Sequence, residues 1–159
     1  MITDNLKEFI DIKLKQLADS KLDVSNMELD HSGFQTSSKK DYDAKTVEVP
    51  TIAERKSENI VGGRRVGIYK LNQKYEYNGF TISGFELVEP REGQITKSRL
   101  DHLEFVLPIS FEEYIASNPQ VDWDTRAMNR PEFAKLVVNF EDGTSVKFHL
   151  KHIFEEIPN

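Results

Sequence analysis

Apolar residues recur at three- and four-residue spacing through the first segment, where Leu6, Phe9, Ile10, Leu14 and Leu17 gather on one face of a helix. Thr3 or Asp4 is the expected cap, because either side chain can accept from the free backbone N–H groups of the first turn. From residue 27 the period shortens towards two. Residues 27–34 read as a strand and residues 35–48 as a polar helix. Ile60-Val61, residues 66–71 and residues 80–88 read as further strands, bounded by Gly, Asn or Pro. A second series begins at Leu100, with a strand to Leu107 and a short helix in which Ser110 and Glu113 have the spacing of a capping box. Residues 136–140 and 145–150 follow as strands, and Asp142-Gly143 between them predicts a type I′ hairpin. Residues 118–131 carry no period and read as loop; Lys151 to Ile157 reads as a final helical turn.

The chain repeats itself. Leu29-Asp30-His31-Ser32-Gly33-Phe34 reappears as Leu100-Asp101-His102-Leu103-Glu104-Phe105, with Leu, Asp, His and Phe retained, and the same order of elements follows each copy. Duplication accounts for both facts. The expected fold is α+β: paired βαβββ modules, about residues 27–90 and 99–157, closing around a common cleft behind an N-terminal helix. This divides the chain into an N-terminal helical segment, 1–26, and a domain, 27–159. The apolar face of the first helix is expected to pack on that domain; docking on another protein is the competing reading.

Composition narrows the function. A length of 159 residues suits one ordinary domain. The absence of cysteine excludes disulfides, thiolate zinc sites and Cys nucleophiles. A net charge of −6 with no basic run disfavours duplex DNA or any other nucleic-acid partner. No stretch approaches the roughly 18 apolar residues of a membrane span, and residues 1–18 lack the apolar centre of a signal peptide. A cytoplasmic protein without a membrane partner is expected.

The histidines at 31, 102, 149 and 152 are sorted by strand parity. Leu103, Phe105 and Leu107 point one way, so His102 and Glu104 point the other. Val146, Phe148 and Leu150 share a face, leaving Lys147 and His149 opposite; Glu86 lies opposite Phe85 and Leu87. His31 is opposite Phe34 but shares a face with Leu29, so parity leaves its direction open. The plain reading is a sheet whose polar face meets water. The alternative is a metal site, since two imidazoles and a carboxylate suit zinc, iron, manganese, nickel or cobalt and leave positions open for substrate. Gly62-Gly63-Arg64-Arg65 reads as a turn, because it lacks the Lys-Ser/Thr ending of a phosphate loop. No Gly-x-Ser-x-Gly motif occurs. Glu112-Glu113 and Glu155-Glu156 read as solvated helix faces, and Trp123 as a core anchor in preference to a pocket lip.

Leu29-Asp30-His31, Gly63-Arg64 with Ile68-Tyr69-Lys70-Leu71, Phe85-Glu86-Leu87 and His102-Leu103-Glu104-Phe105-Val106-Leu107-Pro108 resemble the YecM family. Asp142-Gly143-Thr144-Ser145-Val146-Lys147-Phe148-His149 and Ile153-Phe154-Glu155-Glu156-Ile157 continue the resemblance, the last of these being the most distinctive segment. That family is assigned to the vicinal oxygen chelate superfamily with glyoxalase I and the extradiol dioxygenases. The resemblance implies a divalent metal held from the first and last strands of each module, which falls here on His31, Glu86 and His102. The fourth position falls at about Lys147, whose ammonium cannot ligate while charged; His149, two residues on, is the other candidate there.

Two functions follow as expectations. The first is a metal-dependent isomerase, lyase or dioxygenase acting on a small oxygen-rich metabolite, with the metal as Lewis acid, Glu104 or water moving the proton, and Lys147 and His149 in the substrate pocket. The second is a non-catalytic module that binds a small-molecule ligand in the cleft.

Overall fold

The protein is described by a computed structural model over residues 2–157; residues 1, 158 and 159, at the ends of the expected 1–26 and 27–159 segments, lie outside the described residues. Helix α1 (Leu6–Asp19) buries Leu6, Ile10 and Leu17, the stripe that the spacing predicts. Its start differs from the expectation. The cap is Asn5, in the left-handed region at φ 67° and without a side-chain hydrogen bond to the helix. The preceding turn is held elsewhere, because Ile2 is buried and its N–H donates to Glu48 Oε1 at 3.0 Å.

The first module runs β1 (Glu28–Gln35), α2 (Lys39–Glu48), a 3-10 turn (Val49–Thr51), β2 (Ala53–Val61), β3 (Arg64–Tyr77) and β4 (Phe80–Val88). Strand β2 extends well before Ile60-Val61. It is an edge strand of largely exposed polar residues, so no apolar alternation marks it. The second module runs β5 (Arg99–Val106), α3 (Phe111–Ser117), β6 (Leu136–Asn139) and β7 (Ser145–His149), followed by α4 (Ile153–Glu156). Its third strand after the helix, expected from the repeat, is reduced to a single bridge between Asp124 and Val137. Ser110 caps α3 as its sequence predicts, accepting from Glu113 N–H at 3.1 Å. Ser110→Ala is expected to lower unfolding free energy by about 1 kcal/mol; an unchanged urea midpoint and slope would contradict this.

Among the described residues the strands form one seven-stranded sheet in the order β2-β3-β4-β1-β5-β7-β6. Strands β1 and β4 are parallel, as are β5 and β7, while β1 and β5 meet antiparallel as the seam between modules. The registers match across the seam. Gly33, two residues after His31, lies opposite Glu86; Glu104, two residues after His102, lies opposite Lys147. Along the seam itself His31 faces Glu104 and His102 faces Gly33. The repeat therefore produces a pseudo-twofold axis in which His31 matches His102, Gly33 matches Glu104, and Glu86 matches Lys147.

One face of the sheet carries the apolar core. Phe85, Leu87, Leu103, Phe105, Val146 and Phe148 are at most 1 % exposed there and pack with α1, α2 and α3 in one cluster. Trp123 belongs to it, with its ring 5.5 Å from Tyr114 and 5.9 Å from Phe148, so the anchor reading holds. The opposite face is polar but is not open to water: His31, His102, Glu104 and His149 are all 0 % exposed. Ile68, Phe133 and Ile153 form a smaller cluster that covers part of it.

The hairpin between β6 and β7 corrects a second expectation. Only Gly143 has positive φ, so the turn is not type I′; a three-residue loop closes through the Phe140 N–H donating to the Thr144 carbonyl at 2.9 Å. Asp142 is needed for other contacts. It accepts from Thr144 N–H at 2.9 Å and meets the buried Lys13 ammonium of α1 at 3.2 Å, tying that helix to the hairpin.

Candidate metal centre

Two β-bulges build the site. Asp30 has no partner in the seam between Leu29 and His31, and Asp101 has none between His102 and Leu100. A bulge consumes one residue of the alternation, so consecutive side chains reach the same side of the sheet. This resolves the ambiguity of His31: Leu29 lies in the core and His31 on the polar face. In each copy the aspartate stands beside its own neighbour: Asp30 Oδ1 is 3.2 Å from His31 Nδ1 without hydrogen-bond geometry, and Asp101 Oδ2 is hydrogen-bonded to His102 Nδ1 at 3.2 Å. The Nε2 atoms are left to face each other across the seam.

Glu86 lies between them. Its two oxygens are 3.4 Å from His31 Nε2 and 3.6 Å from His102 Nε2, and one donor atom from each of the three residues lies within 4.8 Å of the others. Neither Nε2 makes a hydrogen bond, although both are buried. Two glycines make the space. A Cβ at Gly33 would stand 2.0 Å from His102 Cε1, and one at Gly84 would stand 2.9 Å from His31 Cβ.

His149 sits beneath this set and does not line the cleft. Its Nε2 is 2.9 Å from Asp30 Oδ2, and its Nδ1 is 2.9 Å from Glu104 Oε2 and 3.1 Å from Glu156 Oε2. Burial resists charge on this ring, but Glu104, Asp30 and Glu156 outweigh it and push its pKa up to about 12. The cationic imidazolium ties together Asp30, which supports His31, and Glu104. Glu156 is thus no solvated residue, which corrects the reading of Glu155-Glu156. Asp30 Oδ2 also accepts from the Ile153 N–H at 2.7 Å, so α4 closes the underside.

The electrostatics differ between matched positions. Burial also opposes charge on His31, yet Asp30 and Glu104 raise its pKa to about 10. His102 has Gly33 where His31 has Glu104, and burial together with the Lys147 ammonium lowers its pKa. Burial would neutralise Glu86, but Lys135 and the two histidines keep its carboxyl well below the ordinary range. Lys147 occupies the place that matches Glu86. Burial and the nearby Lys135 lower its pKa, and it lines the cleft with no ion pair among the described residues.

Of the three donors Glu86 alone lines a neighbouring cleft of about 340 Å³, together with Asp101, Lys135 and Lys147, while the rings of His31 and His102 lie behind it at 0 % exposed. Sequence reasoning passed over Asp30 and Asp101 as partners, although both stand in the repeated Leu-Asp-His triplet. Lys135 lies just beyond the aperiodic stretch, where no pattern marks it.

The YecM protein family matches residues 1–158. No curated protein matches the chain in sequence. Among solved structures, a structural-genomics protein designated EC4020 superposes with a TM-score of 0.76 at 22% identity, covering 97% of this chain and 88% of that one. A methylmalonyl-CoA epimerase in complex with methylmalonyl-CoA and NH4+ superposes with a TM-score of 0.57 at 16% identity, over 83% of this chain and 99% of that one. A variant of the Streptomyces coelicolor methylmalonyl-CoA epimerase, holding 2-nitronate-propionyl-CoA, gives 0.58 at 17% identity, over 82% and 98%. At these identities the superpositions speak for the fold alone, paired modules sharing one sheet.

Proposed function

The chain belongs to the YecM family, and from that premise we propose that it is a metal-dependent enzyme acting on a small oxygen-rich metabolite, with His31, Glu86 and His102 as the ligands. The observation that carries this reading is the pair of buried Nε2 atoms without hydrogen bonds, aimed with Glu86 at one point. A buried polar atom left unpaired costs about 1–3 kcal/mol, and a divalent cation bound to all three donors offsets that cost. The donor set also fits the chemistry: two imidazoles, each with a carboxylate oxygen 3.2 Å from its Nδ1, and one further carboxylate, as in many catalytic sites.

Bound there, a divalent cation supplies Lewis acidity towards two neighbouring substrate oxygens, the requirement of isomerase, lyase and dioxygenase reactions alike. The chain's own residues supply the remainder. Asp30 and Asp101 orient the rings, and His149 fixes Asp30 and Glu104 beneath them. Lys147 faces the cleft as a cation placed to stabilise developing negative charge on a substrate, beside Lys135, which is paired with Glu104 at 3.6 Å. Glu104 is 0 % exposed and does not line the cleft, so a proton leaving a substrate passes to a cleft-facing group or water.

One observation favours a second reading, a binding module without turnover: Lys147 stands where the matched strand carries Glu86, leaving three ligands. Solvent-deuterium exchange at a substrate carbon, or consumption of dioxygen, in the metal-loaded protein separates the two: isomerase or lyase chemistry gives the first, dioxygenase chemistry the second, and a binding module neither.

Purified protein dialysed against zinc, manganese or nickel is expected to retain about one ion per chain by elemental analysis. Asp101→Asn is expected to weaken binding by about 10–100-fold without altering the fold, because it removes charge from the partner of a ligating ring. Retention below about a tenth of an ion per folded chain for every metal would end this reading.

A further inference from the structure

The cleft is cationic in an acidic protein. Arg64, Arg91, Arg126, Arg130, Lys135 and Lys147 line it against only Glu86, Asp101 and Asp124, whereas the whole chain carries −6. Two of the six are neutralised by the protein: Arg126 binds Asp124 through contacts of 3.0 and 2.7 Å, and Lys135 meets Glu104 at 3.6 Å. The others are not. Among the described residues, Arg130 and Lys147 have no hydrogen bond or ion pair through their side chains. The Arg91 side chain donates, among the described residues, only to the Gly62 carbonyl, at 2.9 Å. Arg64 reaches Gln35 Oε1 at 3.4 Å, while its Nε is buried without a partner.

Three of these cations converge at one rim. A Cβ at Gly62, in the β2–β3 turn, would stand 3.0 Å from an Arg91 nitrogen and 3.6 Å from one of Arg130. Burial, with Arg91 and Arg130 nearby, lowers the pKa of Arg64, against the opposing charge of Glu86 and Asp101. Along β3, Arg64 is four residues from Ile68, the partner of Glu86, an offset of about 13 Å. Guanidiniums gathered without carboxylates are offset by an anion that accepts from their forked N–H groups.

We propose that the cleft takes a small organic dianion whose second anionic group, carboxylate or phosphate, is held by Arg64, Arg91 and Arg130, while Lys147 lies beside the end carrying vicinal oxygens. This rests on the reading above only for the end next to His31, Glu86 and His102. The volume sets the scale: about 340 Å³ corresponds to about ten water volumes, which admits a metabolite of similar atom count.

Calorimetric titration of the zinc-loaded protein with lactate, malate and 3-phosphoglycerate tests this. All three carry a 2-hydroxycarboxylate; malate adds a carboxylate at the far end and 3-phosphoglycerate a phosphate. At least one of the two is expected to bind about tenfold or more tighter than lactate, and the tighter identifies the second group. Arg64→Gln and Arg130→Gln are each expected to reduce that advantage to within about twofold while leaving lactate binding unchanged. The same titrations after removal of metal with EDTA separate this proposal from the metal reading. The dianion advantage is expected to persist in stripped protein, whereas failure of the metal reading shows as absence of retained zinc. Malate and 3-phosphoglycerate binding no tighter than lactate to the unmodified protein would overturn the proposal, even if a variant fails to fold. So would an advantage undiminished in both arginine variants.

Discussion

Replacing His102 by alanine is expected to abolish stoichiometric divalent metal while leaving the circular dichroism spectrum nearly unchanged. The ring supplies one of the three converging donors, and neither neighbouring position replaces it: Gly33 faces it across the seam, and Lys147 is a cation. Loss of a partner that merely orients a ligand costs about 10–100-fold in affinity, and loss of the ligand itself is expected to exceed that. His152→Ala is the control. That histidine lies outside the donor set, 3.2 Å from Ser83 Oγ, and its removal is expected to leave metal content intact. Full retention of metal by His102→Ala would show that the three residues do not form the centre.

A methyl group at Gly33 is expected to be almost as damaging, although it removes none of the three donors. It would stand 2.0 Å from His102 Cε1 and 2.5 Å from both ring nitrogens, with the ring 0 % exposed and no space to retreat into. Gly33→Ala is therefore expected to lower stability by about 1–3 kcal/mol through overpacking and to displace the ring from its place beside Glu86, with loss of metal. The backbone is not at fault, since Gly33 is not among the glycines with positive φ. A double-mutant cycle isolates the cause. In Gly33→Ala combined with His102→Ala the methyl occupies space the ring has left, so stability is expected to recover relative to Gly33→Ala alone. Strictly additive losses would refute the steric account.

The repeated Leu-Asp-His-x-x-Phe is what made the paired modules legible, and parity placed Glu86, His102 and Lys147 on one face because β4, β5 and β7 alternate regularly there. His31 resisted the same treatment for a physical reason: the bulge at Asp30 breaks the alternation, and a bulge leaves no mark in a single sequence. Parity leaves the polar face open to two readings, contact with water or a metal site, because it reports direction, not depth. What buries that face comes from afar, through Ile153 in α4 and Phe133 in the loop before β6. The cationic rim was hidden similarly. Arg64 was read as part of a turn, which it follows, while Arg91 and Arg130 lie in connections whose course only the folded chain defines.

The pseudo-twofold seam has a consequence for how a ligand is oriented. Two separate, identical modules meeting about a true twofold axis would present the same groups twice, and a ligand could enter either way round. With both modules on one chain, matched positions are free to diverge: Gly33 against Glu104, and Glu86 against Lys147. The divergence gives the cleft a polarity, with a carboxylate contributed by one half and an ammonium by the other. A molecule with unlike ends is thereby bound in a single sense, so a reaction there can distinguish two faces of a substrate that a symmetric cleft would treat as equivalent.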